Sequence, residues 1–117
     1  MIEYDPAAER AALDWLALTD GGDAEGSWNS AASLFRHAVP LATWTESLER
    51  ARGPLGALVS REIESARVAT ELPGAPDGEY VVLQFKTSFE QKRSAVETVT
   101  PMRDMDGQWR VSGYFIR

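Results

Sequence analysis

DGQWRVSGYFIR, residues 106–117, opens on a tight-turn dipeptide and continues as a strand of alternating side chains. Asp106-Gly107 fits a two-residue hairpin turn, because the favoured turns need positive φ at their centre and Asp and Gly tolerate it. That turn pairs Met102 with Val111, Thr100 with Gly113 and Thr98 with Phe115. The chain therefore closes on an antiparallel hairpin with a glycine in the middle of its last strand.

Working backward, period-two alternation with β-branched and aromatic residues begins near residue 57 and is interrupted by LPGAPDG, a loop that Pro and Gly enforce. Strands are expected at 57–71, 79–89, 95–104 and 108–116. The first is long enough to carry a bulge near Glu64, where its alternation changes phase. Placing Phe89 opposite Val96 across EQKRSA extends the hairpin register and separates two faces. One face collects Val81, Leu83, Phe85, Phe89, Val96, Met102, Trp109, Val111 and Phe115 and reads as the core side. The small residues Thr87, Thr98, Thr100 and Gly113 fall in the middle of that face. A mid-strand glycine marks a bulge, a bend or the close approach of something large, and a tryptophan from the helices is the expected occupant, with a ligand pocket as the alternative. The other face mixes Tyr80, Val82, Gln84, Lys86, Glu97, Val99, Ser112, Tyr114 and Ile116, and its apolar content suggests an interface.

The helices come first. Asp5-Pro6 is a good helix start, since the Asp side chain accepts from free N–H groups and Pro gives up nothing at the first position. Ala8, Ala12, Trp15 and Leu16 then share one stripe, ended by Asp20-Gly21-Gly22. A second helix is expected over 24–37, with Trp28, Ala31, Ala32 and Phe35 inward. A third begins after Pro40 with TWTE, residues 43–46, as a capping box, and stops at RGPLG. Fold class follows as α+β: a single domain over 1–117, with short N-terminal helices (about 6–52) packed on a curved four-stranded antiparallel sheet (about 57–117).

A chain of 117 residues is enough for one core, and 44% hydrophobic with 26% charged residues is ordinary globular composition. The formal charge of −6 would repel a phosphate backbone, so nucleic acid is not an expected partner. Residues 1–59 hold nine acids against four bases, which places the excess in the helical half. The absence of Cys excludes disulfides and thiolate chemistry. No apolar run approaches a membrane span, and no membrane insertion is expected. The segment MIEYDPAAER has acids where a secretory leader has basic and apolar residues. The two readings of compartment are a cytosolic protein starting at Met1 and an exported one starting after a removed leader.

Candidates for chemistry each carry a plainer explanation. His37, the only histidine, follows Arg36 at a helix end, where cations meet the negative end of the dipole. No second His and no acid cluster supports a metal, and DMDG reads as a turn rather than a calcium loop. Serines lack an elbow and a base. No cofactor motif is present. Arg52 and Arg61 flank GPLGALVS and are expected to converge where the third helix hands over to the first strand, offering bidentate donors to a carboxylate or phosphate, with an internal partner as the plainer reading. Lys86, Lys92 and Glu97 are expected in structural ion pairs, with Glu97 near Lys86 on the mixed face.

The segments ALDWLALTDGGDAEGSW, RGPLGALVSR, LPGAPDGEYVVLQFKTSFEQKRSAVETV and DGQWRVSGYFIR together resemble a bacterial family known as domain of unknown function 4019. The resemblance spans nearly the whole chain and implies a cystatin-like or nuclear-transport-factor-like fold, with helices in the concavity of the sheet. Its pattern falls on Trp15, Trp28, Trp44, Arg52, Gly53, Gly56, Arg61, Phe89, Lys92, Glu97, Trp109, Gly113, Tyr114 and Arg117. Family members are commonly small exported proteins, which the acidic start of this chain does not match.

Two functions follow as expectations. One is a non-catalytic binding or association module, a homodimer or a contact with another protein, using Tyr80, Val82, Val99, Tyr114 and Ile116. The other is a small enzyme or small-molecule binder using the space between helices and sheet, lined by Trp15, Trp28, Trp44, Arg52, Arg61, Thr98, Thr100 and Gly113. Catalysis is the weaker reading, because the expected register points no Asp, Glu or His inward except Asp104 at the rim. An acid or base would have to come from a helix, such as Asp14 or Asp20, or from the bulged strand that carries Arg61.

Overall fold

Helix α1 (Pro6–Asp20) begins as its sequence dictates: the Asp5 carboxylate accepts from the Ala7 N–H at 2.9 Å, and Pro6 occupies the first turn. In the computed structural model, which describes residues 3–117, α1 is followed by α2 (Ala24–Ser30), α3 (Ser33–Ala38) and α4 (Leu41–Arg52). A short 3-10 turn (Gly53–Leu55) leads into four strands, β1 (Leu58–Ala69), β2 (Tyr80–Phe89), β3 (Lys92–Arg103) and β4 (Trp109–Ile116). The strands form an open antiparallel sheet in the order β1-β2-β3-β4. Helix α1 packs over β3 and β4, and α3 over β4. The fold is α+β with the helices N-terminal to the sheet. Among the described residues, no helix is long and apolar enough to cross a membrane.

The helix expected over 24–37 is two helices. Its continuity ends at Ala31 and Ala32, both extended, where the Ala32 N–H donates to the Val111 carbonyl of β4 at 2.8 Å. Asp104 then serves as a distant cap for α3, accepting from the Ser33 N–H at 3.0 Å and the Ser33 hydroxyl at 2.8 Å. A carboxylate at the start of a helix satisfies free N–H groups and opposes the positive end of the dipole. Helix α4 starts at Leu41 behind Pro40 and not at the expected capping box, so Thr43 and Glu46 lie inside it; Thr45 instead donates its hydroxyl back to the Leu41 carbonyl.

The closing hairpin turns over three residues, 105–107, rather than two. The Asp104 N–H donates to the Gln108 carbonyl, and Gly107 takes φ of 84°. This shifts the pairing near the turn by one, to Met102 with Arg110 and Pro101 with Val111, in place of the expected Met102–Val111 pair. A bulge between Thr100 and Pro101 takes up the extra residue. Proline has no N–H to give to a ladder, so a bulge is tolerated there. Beyond it Thr100 pairs with Gly113 and Thr98 with Phe115, as the sequence predicts.

The β2–β3 register departs from expectation. Phe89 stands opposite Lys92, not Val96, and the turn is Glu90 and Gln91 alone. Beyond a second irregularity Thr87 faces Ala95, Phe85 faces Glu97 and Leu83 faces Val99. The displacement is an odd number of residues, and in a strand of period two that exchanges the faces. Glu97, Val99 and Tyr114 therefore point inward, whereas Val96, Thr98, Thr100, Met102, Gly113 and Phe115 belong to the outer face. Val99 is fully buried and Phe115 is 55% exposed.

The core joins Ala8, Ala12, Trp15 and Leu16 of α1 with Phe35, Trp44, Leu48, Leu83, Phe85, Val99 and Val111. Tyr114 packs against it, its ring 5.2 Å from Trp15 and edge-on. Tyr80, placed outward by the register, is nevertheless buried because the loop before β2 folds over it and its hydroxyl donates to the Pro76 carbonyl.

Candidate functional site: an ion-pair chain and the cleft at its end

Asp20 occupies the last turn of α1, four residues after the buried Leu16 and so on the same helical face. Its carboxylate meets Arg52, the last residue of α4, with Nη1 to Oδ1 at 2.7 Å. It also meets Arg61 of β1, whose two terminal nitrogens lie 2.9 Å from its two oxygens. Arg61 donates its remaining Nε to Glu97 Oε1 at 2.7 Å. Glu97 accepts further bonds from the Thr87 hydroxyl at 2.8 Å and from the Tyr114 hydroxyl. Two arginines and two carboxylates thus form a neutral chain running from the α1–α4 corner to the middle of the sheet.

Glu97 is fully buried and Arg52 and Arg61 nearly so. A carboxylate in such a place is tolerable only when paired and bonded, and Glu97 has three donors. Burial pushes the Asp20 carboxyl up, but hydrogen bonds and charge from Arg61 and then Arg52 outweigh it, holding the group below the ordinary carboxylate range. Burial likewise opposes the Arg61 charge, and Asp20 and Glu97 override it, so the guanidinium stays protonated. The Tyr114 phenol is pushed well up, by burial first and then by the charge and hydrogen bond of Glu97. Asp20, Arg61 and Tyr114 are thereby each moved away from proton exchange near neutral pH.

Beyond this chain, at the Arg52 end, lies a cleft of about 450 Å³ between the end of α1 and the end of α4. Its walls include Asp20, Gly21, Gly22, Thr45, Leu48, Arg52, Gly53 and Gly56. Pro54 stops α4, because it lacks the N–H that a further turn needs. Gly56, at φ of 75°, turns the chain toward β1. The same corner holds the β2–β3 turn: Gln91 N–H donates to the Leu55 carbonyl at 2.8 Å, and Glu90 Oε1 accepts from the Ala57 N–H at 2.8 Å.

The residues singled out in the sequence distribute as follows. Arg52 and Arg61 converge on one internal carboxylate, and of the expected cavity set only Arg52 lines the cleft. Trp15 and Trp44 are core residues whose indoles lie 5.6 Å apart and whose N–H groups donate to the carbonyl and hydroxyl of Ser27. Trp28 is half-buried and donates to the Val39 carbonyl. No indole covers Gly113: a Cβ there would meet only the Thr100 side chain, at 3.9 Å. Thr98, Thr100 and Gly113 lie on the outer face, and Thr98 is buried there with a hydroxyl that has no partner among the described residues. Lys86 stands opposite Glu62 and Val96, Lys92 opposite Phe89, and neither forms an ion pair among the described residues; Glu97 pairs with Arg61 instead.

Sequence reasoning read Asp20 chiefly as a helix end and Tyr114 as an outer residue, and so missed both as members of the chain. The signal for Asp20 was its i+4 spacing from Leu16. For Tyr114 no local signal exists, since its direction depends on a register set elsewhere.

No curated protein and no solved structure matches this sequence. Residues 11–114 match the family described as protein of unknown function (DUF4019), and the chain belongs to that family.

Proposed function

We propose that this chain is a non-catalytic binding module of cystatin-like or nuclear-transport-factor-like architecture, with the cleft beside Arg52 as its binding site. The architecture is supported by helices that precede an antiparallel four-strand meander and lie on one of its faces. The non-catalytic reading is supported by the engagement of the inward carboxylates: Asp20 is held by two arginines and Glu97 by three donors. A general base needs a pKa near the working pH and a free approach to substrate. The interior that enzymes of this shape use is here filled by Trp15, Trp44, Leu48 and Phe85.

The observation that carries the binding reading is the cleft itself, where a buried arginine meets glycine backbone on a partly apolar wall. Native mass spectrometry tests it, on the protein alone and after incubation with a mixed set of small acids, amines and neutral compounds. An added mass on the wild type that disappears in Gly53→Leu is expected, because a side chain at Gly53 would extend into open space at the cleft wall. Bare spectra for every compound class would sink the reading.

Association is the second reading, favoured by β1. This edge strand leaves Val59, Ile63 and Val68 exposed, and an unpaired edge is a template for another strand. The outer face itself lends less support than its sequence suggests, since Val99 and Tyr114 lie inside. A doubled mass in the same spectra, lost on Ile63→Lys, is the expected sign of edge pairing. A monomer throughout would count against it.

A further inference from the structure

The exchange of faces that took Val99 and Tyr114 inside also brought Val96, Met102 and Phe115 out, onto the side of the sheet away from the helices. The ladder arranges this side in rows across the strands. One row aligns Ser65, Gln84, Thr98 and Phe115, and the next holds Arg67 opposite Val82 and Thr100 opposite Gly113. On β4 an exposed phenyl ring therefore stands two residues, about 7 Å, from a bare glycine on the same face. A Cβ at Gly113 would meet only Thr100, so the glycine leaves a hollow that no side chain of its own molecule fills. Part of the polarity of the face is engaged within the sheet: Gln84 accepts from the Ser65 hydroxyl at 3.0 Å, and the Ser112 hydroxyl donates to the Thr100 carbonyl at 2.8 Å. That lowers the cost of covering it.

A knob and a hollow side by side on one strand are complementary to their own copies under a two-fold rotation. An axis in the plane of contact, crossing the strands at the level of Tyr114, reverses their direction and lays Phe115 of each copy over Gly113 of the other. The same axis lays Val96 over Met102 of the other copy. At the β1 rim it brings the exposed Arg67 within reach of the exposed Glu62 of the other copy, so unlike charges meet there. Four strands about 4.8 Å apart, sharing about eight residues of length, offer roughly 500 Å² per copy. Two such faces reach the total of about 1,000 Å² that a specific contact needs, and at that lower limit association is reversible. We propose that the outer sheet face is a self-association surface, on which two copies pack face to face with each Phe115 seated in the hollow at Gly113 and Thr100 of the other. This contact uses neither the cleft nor the β1 edge.

Sedimentation velocity of the full chain from about 10 µM to about 1 mM, a range that spans weak to moderate dimer affinities, is the test. The wild type is expected to shift from monomer to dimer, with concentration-dependent amide shifts centred on Val96, Thr100, Met102, Gly113 and Phe115. Phe115→Asp, which puts a charge in the contact, and Gly113→Val, which fills the hollow, should each weaken association at least about tenfold, as loss of a central aromatic anchor does. Ile63→Lys, on the β1 edge, should associate as the wild type does. A monomer over the whole range overturns the proposal, as does a dimer undiminished in a folded Phe115→Asp. If that variant does not fold, Gly113→Val decides by the same criterion, since a β-branched residue suits a strand. A dimer lost in Ile63→Lys and kept in Phe115→Asp overturns the face contact and supports edge pairing instead.

Discussion

Asp20 accepts from both terminal nitrogens of Arg61 at 2.9 Å, and this bidentate pair ties the end of α1 to an edge strand whose residues are all exposed or half-buried. Arg61 then passes its third donor to Glu97, so one guanidinium holds two carboxylates that lie on different elements. Removing it strands a charge in the core.

Arg61→Leu is therefore expected to destabilise by about 3–5 kcal/mol, the cost of leaving a buried partner uncompensated. Glu97→Gln, which keeps hydrogen-bonding capacity and leaves Arg61 with Asp20, should cost less, about 1–3 kcal/mol. Urea unfolding of both variants and of the double mutant Arg61→Leu/Glu97→Leu checks this. The double mutant should be less destabilised than the sum of Arg61→Leu and Glu97→Leu, because neither charge remains.

The pH dependence has two limbs with opposite signs. Asp20 and Asp104 have carboxyl pKa values below their ordinary range, so their contribution is present above about pH 4 and is lost as pH falls. Tyr114 has a raised pKa, so its contribution is present below about pH 10 and is lost above it, at up to about 1.4 kcal/mol per pH unit. Tyr114→Phe should flatten the alkaline limb and leave the acid limb unchanged in a series of thermal melts. An alkaline limb that persists unchanged in the variant would refute the assignment.

Asp104 ties the closing hairpin to α3 through Ser33. Asp104→Ala should cost about 1–2 kcal/mol, as loss of a helix cap does. Amide exchange should rise most in Ser33 and the residues after it. A stability loss with unchanged exchange in α3 would show that the cost lies in the hairpin instead.

The glycines divide sharply. Gly56 has φ of 75°, and a Cβ there would come within 2.9 Å of the Glu90 side chain, so Gly56→Ala should destabilise by about 1–3 kcal/mol through backbone strain. Gly113→Ala should be neutral or stabilising by up to about 1 kcal/mol, since a strand glycine costs entropy and the added methyl finds only Thr100 at 3.9 Å. Differential scanning calorimetry on the two variants reads both. A large loss at Gly113 would mean that something does approach it.

Some of this was present in the order of residues. Helix α1 could be placed from its Asp-Pro start and its stripe, and β1 with its bulge from a phase change near Glu64. The Thr100–Gly113 pair followed from an Asp-Gly turn, although that turn is one residue longer than expected and the bulge at Pro101 absorbs the difference. These features are local: propensity, caps and period act within a few residues, so a sequence carries them openly.

What only the tertiary structure decided is which way β3 and the end of β4 face. The turn at Glu90 and Gln91 has no Gly or Asn to announce it, and it is held from outside by Leu55 and Ala57, thirty-odd residues earlier. Because side chains alternate every residue, an odd displacement of that register moved Glu97, Val99 and Tyr114 from the surface to the interior. The buried ion-pair chain, the filled concavity and the cleft beyond Arg52 all depend on a contact that no local pattern encodes.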